Sequence, residues 1–150
     1  MMFRPVGDRI EVSIPERERF LIAGLPSLLE GVGEVGDPAF AILNRAAYRE
    51  DEGASSEFSR LVGDDTAKAR SADRAILADV GRGPTTLTRD EGLGLLRALN
   101  EARLVVAARS GVIDDGPGWE DRIPVDPDVA VLAWLGYLEG ELLQALSALV

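Results

Sequence analysis

The chain has 150 residues, which suits one domain, with a net charge of −10 and neither cysteine nor histidine. The missing residue types exclude disulfides, thiol redox chemistry, cysteine-ligated zinc and histidine general-base catalysis within this chain. The negative charge disfavours DNA binding by this chain alone, because DNA phosphates repel an acidic surface.

The N-terminal stretch predicts a β-hairpin followed by a helix. Apolar and polar residues roughly alternate on both sides of Gly7-Asp8, a pair of residues that is typical of turns. Ser13 is the predicted N-cap of the helix, and Pro15 lies near its first turn. Pro26 lies inside the apolar pattern, so we expect a kink or a break there.

Two helices are predicted in the middle of the chain. Asp37-Pro38 opens a short one, because aspartate caps helices well and proline suits the first position. A longer helix is expected over roughly residues 54–80, and its second half should face solvent on most sides. Gly81 and Gly83-Pro84 should end it.

Two further helices are predicted in the last third of the chain. Thr88 followed by Glu91 forms a capping-box pattern, and Gly111 is the expected C-terminal stop of the first of them. Asp126-Pro127 starts the second after a polar loop. Apolar residues cover about half of this last helix, enough to bury against the domain and against a second copy.

The predicted fold is mainly α, a small bundle of about four main helices with a short N-terminal β-hairpin. A single domain is expected over residues 1–150, with the hairpin over 1–13 and the helical part over 15–150. No apolar run reaches the roughly 18 residues of a membrane helix, and the N-terminus lacks the apolar core of a signal peptide. We therefore expect a cytoplasmic protein without a membrane partner.

Arg103 lies in the middle of the apolar face of the predicted helix that contains "LNEARLVVAARSGVI". A charge there needs a partner, because an unpaired buried charge is costly. Glu57 and Glu139 both qualify, since each adjoins an apolar helical position. A buried structural ion pair is the main interpretation, and an anchor for an anion or an acidic partner is the alternative. A catalytic role is disfavoured because no usual nucleophile or base accompanies the arginine.

Three other residues are candidates for contacts with a partner. Arg97 and Arg109 lie off the apolar stripe, and with Arg82 and Arg89 they form either a solvated face or a basic patch for an acidic protein. Trp119 lies in the polar loop, where it either covers the core or anchors on a partner.

No catalytic, cofactor or metal site is predicted. The acidic stretches at residues 49–52 and 63–65 lack the ligand spacing of a calcium loop. We therefore expect a chain that is not an enzyme and needs no cofactor.

Three blocks together resemble one family: "DPAFAILNRAAYREDEGASSEFSRL", "LRALNEARLVVAARSGV" and "VLAWLGYLEGELLQAL". Their order and spacing are similar to those of the actinobacterial AosR family, a domain long catalogued as of unknown function. The resemblance extends from about residue 10 to residue 149. Glu57 and Arg103 belong to the first and second blocks, and we hypothesise that they meet in the core as an ion pair.

The resemblance implies a mainly α-helical regulator of transcription that senses oxidation through a pair of cysteines and works with a sigma factor of RNA polymerase. This chain has no cysteine, so a thiol–disulfide sensor cannot operate in it. The expected function is therefore a protein-interaction module that regulates transcription without redox sensing, with a homodimer as one possible state. The alternatives are a helical adaptor, or a small-ligand binder that uses Glu57 and Arg103.

Overall fold

The structure is a computed structural model that describes residues 1–31, 56–111 and 118–149, with side chains from residue 68 onward in the second range. These residues form four α-helices, three strands and one 3-10 helix, which confirms the predicted mainly α class. The short helix predicted at Asp37-Pro38 lies outside them. The elements in chain order are β1 Phe3–Val6, β2 Arg9–Val12, α1 Glu16–Glu30, α2 Ser56–Arg82, β3 Thr85–Thr88, α3 Arg89–Ser110, the 3-10 helix Trp119–Arg122 and α4 Pro127–Ser147.

The predicted hairpin is present and belongs to a three-stranded antiparallel sheet. Val6 pairs with Arg9 across the turn, where Gly7 adopts a φ of 62°. The third strand, β3, was not predicted. It pairs with β2 so that Ile10 lies opposite Leu87, and both side chains are buried. This strand is too short for its alternation to stand out, and it forms because β2 offers it a partner.

Helix α1 differs from its prediction at the N-cap, and the break that was one of two expectations at Pro26 does not occur. Its N-cap is Pro15 without a side-chain cap, so the predicted Ser13 cap is wrong. The Ser13 amide instead donates to the Met2 carbonyl at 2.9 Å, which extends the hairpin. The helix also runs unbroken through Pro26 to Glu30. Burial of Leu25 and Leu29 on either side of the proline offsets the hydrogen bond that the proline removes.

The predicted caps of α3 and α4 are confirmed. Thr88 Oγ1 accepts from the Glu91 amide at 3.1 Å, and Glu91 Oε1 accepts from the Thr88 amide at 3.0 Å. Gly111 ends α3 with a φ of 77° in the left-handed region. Asp126 caps α4 by accepting from the amide of Asp128 at 3.0 Å. These ends fix the two helices that frame the candidate site.

The core is formed where α4 packs on α3, α3 on α2 and α2 on α1, with the sheet closing one side. Among the described side chains, α3 has the most buried residues of any helix and α4 has the next most. The buried face of α4 consists of Val129, Leu132, Leu135, Leu138, Leu142, Ala145 and Leu146.

By length and composition alone, α4 could cross a membrane, which departs from the expectation that no apolar run is long enough. It has 21 residues, and an 18-residue window within it has a mean hydropathy of 1.3. The window reaches this value although the helix carries Glu139 and Glu141. In the structure one face of α4 is buried against the other helices. That burial is what a core helix of a soluble protein requires, and it is compatible with such a protein.

Candidate functional site

The candidate site is the seam between α3 and α4, which opens into two cavities on either side of Arg103. The first, called here the Leu143 cavity, has a volume of about 520 Å³. The second, called the Trp119 cavity, has a volume of about 480 Å³. Arg103 and Gly136 line both of them. The remaining residues of the Leu143 cavity are Leu96, Arg97, Asn100, Glu139, Gly140 and Leu143.

Arg103 donates from Nη1 to Glu139 Oε2 at 3.2 Å, so one of the two predicted partners contacts it. The pair is not buried on both sides, which corrects the sequence-based interpretation. The Glu139 side chain is 15% exposed, but that of Arg103 is 43% exposed. The facing residues of α4 include Gly136, where an added Cβ would lie 3.9 Å from Arg103 Nη1. Because this glycine has no side chain to cover the guanidinium, the arginine stays open to solvent.

Glu139 is the electrostatically perturbed member of the pair. Burial raises the pKa of its carboxyl group, and the neighbouring Arg103 only partly opposes this effect. Its second oxygen, Oε1, is buried and has no hydrogen-bond partner. An ionised carboxylate with one unsatisfied oxygen is costly to bury. The protonated carboxyl group costs less, because a neutral group loses less solvation free energy when it leaves water.

The Glu139→Gln variant should remove part of the pH dependence of stability. A carboxyl group whose pKa is higher in the native than in the unfolded state favours folding below its unfolded pKa of about 4.3. That contribution is lost as the pH rises through the native pKa. The stability of the variant relative to the wild type should therefore increase as the pH rises from about 4 towards neutrality.

Urea unfolding of both proteins across this pH range measures the difference. Glu101, whose pKa burial also raises, is present in both proteins, so its contribution cancels. Parallel profiles for the two proteins would show that Glu139 titrates alike in the folded and unfolded states.

Glu57, the other predicted partner of Arg103, lies outside the described side chains. Its backbone belongs to α2. The hypothesis of a Glu57–Arg103 pair in the core stays a prediction. In the described part of the chain, the hydrogen-bonding and ionic partner of Arg103 is Glu139.

Arg97, a predicted partner contact, holds a buried carboxylate, and its contact with a partner stays a prediction. Its Nε and Nη2 atoms donate to the two oxygens of Asp73, each at 2.9 Å. The Asp73 side chain is 7% exposed and the Arg97 side chain 59% exposed. This hydrogen bond to Asp73 raises the pKa of Arg97, so the guanidinium stays charged. Arg97 still borders the Leu143 cavity, so its structural role does not remove it from the surface.

The other residues of the proposed basic patch, Arg82, Arg89 and Arg109, are all exposed. Arg82 forms an exposed ion pair with Asp79 one turn earlier in α2. Arg109 is exposed in the last turn of α3. Since Arg97 and Arg82 both engage carboxylates, the patch is weaker than the sequence suggests.

Trp119 begins the 3-10 helix and packs against the core while remaining partly exposed. Both of its predicted roles are therefore still possible, since it covers the core and also forms a wall of the Trp119 cavity. The second tryptophan, Trp134, donates from Nε1 to Glu18 Oε1 at 2.8 Å and so links α4 to α1.

The most informative contacts that sequence reasoning missed involve acids on α2 and α3. Asp73 was expected to face solvent, although its spacing from Leu77 and Val80 places it on the buried face of α2. Glu101 lies between Arg70 and Arg74, with N–O distances of 3.3 and 3.7 Å. Burial raises the pKa of Glu101 in spite of these two arginines. Both clusters join α2 to α3 and stabilise one wall of the site.

The seam carries groups that are suited to binding a ligand. It offers guanidinium donors, an amide from Asn100 and apolar walls. Within the described ranges, no group of three or more carboxylates, histidines or cysteines is arranged to hold a metal ion. A small anion matches the donors, and a carboxylate attached to an apolar group matches both the donors and the walls.

A family model described as a domain of unknown function (DUF2017) matches residues 1–146. No curated protein and no solved structure matches the chain.

Proposed function

The chain belongs to the DUF2017 family, and we propose that it acts in the cytoplasm as a non-enzymatic protein-interaction module that regulates transcription through a sigma factor or RNA polymerase. The observation that carries the proposal is the open α3–α4 seam. Its half-exposed Arg103 lies between an apolar cavity walled by Trp119 and a second cavity that ends at Leu143. Half-exposed arginine and tryptophan side chains beside apolar pockets are common anchors in protein interfaces.

The transcriptional part of the proposal rests on the resemblance to the AosR family. The finer assignment to that family, and with it an actinobacterial origin, is part of the proposal. The chain has no cysteine, so the regulation proposed here does not use a disulfide sensor.

Charge supports a protein partner over bare DNA. The chain carries a net charge of −10, and the arginines of α3 that are near the seam already engage carboxylates. Counterion release from DNA needs a cluster of cations that face the phosphates. A homodimer is a further possibility, since Tyr137 and Leu143 of α4 are 58% and 54% exposed.

The test is reconstitution with purified components. The tagged protein is mixed separately with the RNA polymerase core, the sigma factors of its own cell and promoter DNA, and complexes are resolved by size-exclusion chromatography. We expect a stoichiometric complex with a sigma factor or polymerase, and none with DNA alone at physiological salt.

Two variants locate the contact. Arg103→Glu combined with Leu143→Ser should abolish the complex, because both changes lie in the seam. Phe20→Ser, which changes an 81% exposed residue on α1, should leave it intact. Absence of any complex would reject the regulatory proposal and leave the helical adaptor and the small-ligand binder using Glu57 and Arg103.

A further inference from the structure

The Trp119 cavity combines an apolar interior with a cationic group at one end. Its volume of about 480 Å³ lies in the range of small-molecule sites. Trp119 provides an aromatic wall, and Arg103 lies where this cavity meets the Leu143 cavity. The aliphatic lining consists of Leu104, Ala107, Ile123, Leu132 and Ala133.

Two nitrogen atoms of the Arg103 guanidinium donate to no described residue. Its Nη1 atom donates to Glu139, while Nε and Nη2 have no hydrogen bond to any other described residue. A guanidinium presents its N–H groups as a planar fork that matches a carboxylate. The side chain is 43% exposed, so a ligand can reach the unused edge.

Among the described residues two acids also touch this region, and they limit the affinity for an anion. Glu120 lines the cavity but is exposed, so water screens its charge. The charge of Glu139 is partly neutralised by Arg103, whose Nη1 atom lies 3.2 Å from Glu139 Oε2. Neither acid occupies Nε or Nη2 of the arginine.

We propose that the Trp119 cavity binds a carboxylate that carries an apolar body. The carboxylate pairs with Nε and Nη2 of Arg103, which have no partner among the described side chains, and the apolar body lies against Trp119 and Leu132. This site shares Arg103 and Trp119 with the partner interface proposed above, but its test needs no protein partner, so the two proposals can fail separately.

The test uses 4-phenylbutyrate as the probe and its neutral amide, 4-phenylbutanamide, as the matched control. The chain has two tryptophans, so ¹H–¹⁵N spectra carry two indole signals, which Trp119→Phe assigns. We expect 4-phenylbutyrate to shift the Trp119 signal saturably and the Trp134 signal little, because Trp134 is bonded to Glu18 outside this cavity. The amide should bind about tenfold more weakly.

Three variants separate the proposed contact from a general effect. Arg103→Gln should weaken binding by about tenfold, while Glu120→Gln should strengthen it by removing a lining charge. Leu143→Ala changes only the neighbouring cavity and should leave the dissociation constant unchanged. An unmoved Trp119 signal at saturating probe, equal binding of acid and amide, or unchanged affinity in a folded Arg103→Gln protein would each overturn the proposal.

A protein C-terminus that ends in an apolar residue offers the same chemistry as a small acid. N-acetyl-Leu-Phe as the free acid is therefore compared with its C-terminal amide and with 4-phenylbutyrate. Tighter binding of the peptide acid assigns the cavity to a protein terminus, and tighter binding of 4-phenylbutyrate assigns it to a small organic acid.

Discussion

Replacing Arg97 with alanine should lower the free energy of unfolding by about 3 kcal/mol. The reason is the carboxylate that the arginine leaves behind. Asp73 is 5% exposed when the whole residue is counted. Among the described side chains it is the polar or charged residue that is classed as buried. Both of its oxygens accept from Arg97 at 2.9 Å. Because Arg97 itself is 59% exposed, water can enter part of the vacated space, which places the expected cost at the lower end of the range for broken buried pairs.

Arg82→Ala is the matched control, since it also removes an arginine from a carboxylate on α2. The Arg82–Asp79 pair is exposed on both sides, at 74% and 60% of the two side chains. Its loss should change the free energy of unfolding by no more than about 0.5 kcal/mol. Urea unfolding near neutral pH measures both variants under the same conditions.

Asp73→Asn identifies the origin of the effect. If the cost of Arg97→Ala comes from the orphaned carboxylate, combining the two changes should recover much of the lost stability, because asparagine carries no charge. Additive losses in the double variant, or a loss for Arg97→Ala no larger than that for Arg82→Ala, would contradict a buried ion pair that fixes α2 on α3.

Features that depend on neighbouring residues were predictable from the sequence. The Thr88–Glu91 capping box and the Asp126-Pro127 start of α4 were predicted because each cap is completed within one turn of helix. The helix stop at Gly111 was predicted for the same reason, since glycine has no Cβ and adopts the left-handed conformation there without a steric clash.

Features that depend on a residue distant in the chain were not predictable from the sequence. Strand β3 exists because β2 lies beside it, and four residues carry too little pattern to show that. Arg97 was correctly placed at the surface, but its contact with Asp73 was not predicted. That contact depends on Gly94, one turn earlier, which leaves room for Asp73. A Cβ at Gly94 would lie 2.7 Å from Asp73 Oδ1.

Arg103 was correctly placed beside α4, and Glu139 was one of its two named partners. Its burial was overestimated because helical spacing gives the direction of a side chain and not what covers it. On the facing helix Gly136 decides that point, because it has no side chain to cover the guanidinium. Four residues of the seam, Arg97, Arg103, Trp119 and Glu139, were named from the sequence, whereas its two cavities followed only from the packing of α3 on α4.

The two faces of α4 should respond very differently to the same truncation. Leu138 is fully buried, and Leu138→Ala should lower the free energy of unfolding by about 3 kcal/mol through lost apolar burial and the cavity left behind. Leu143 is 54% exposed, and Leu143→Ala should lower it by less than about 1 kcal/mol.

Urea unfolding of the two variants measures these differences, and reconstitution with the transcription proteins completes the comparison. Leu143→Ala should weaken the partner complex while the protein stays folded, because the truncated side chain lines the Leu143 cavity. Equal destabilisation by the two changes would mean that the exposed face of α4 is covered in solution, for example by a second copy of the chain. In that case the apparent stability should also rise with protein concentration, because association favours the folded state by mass action.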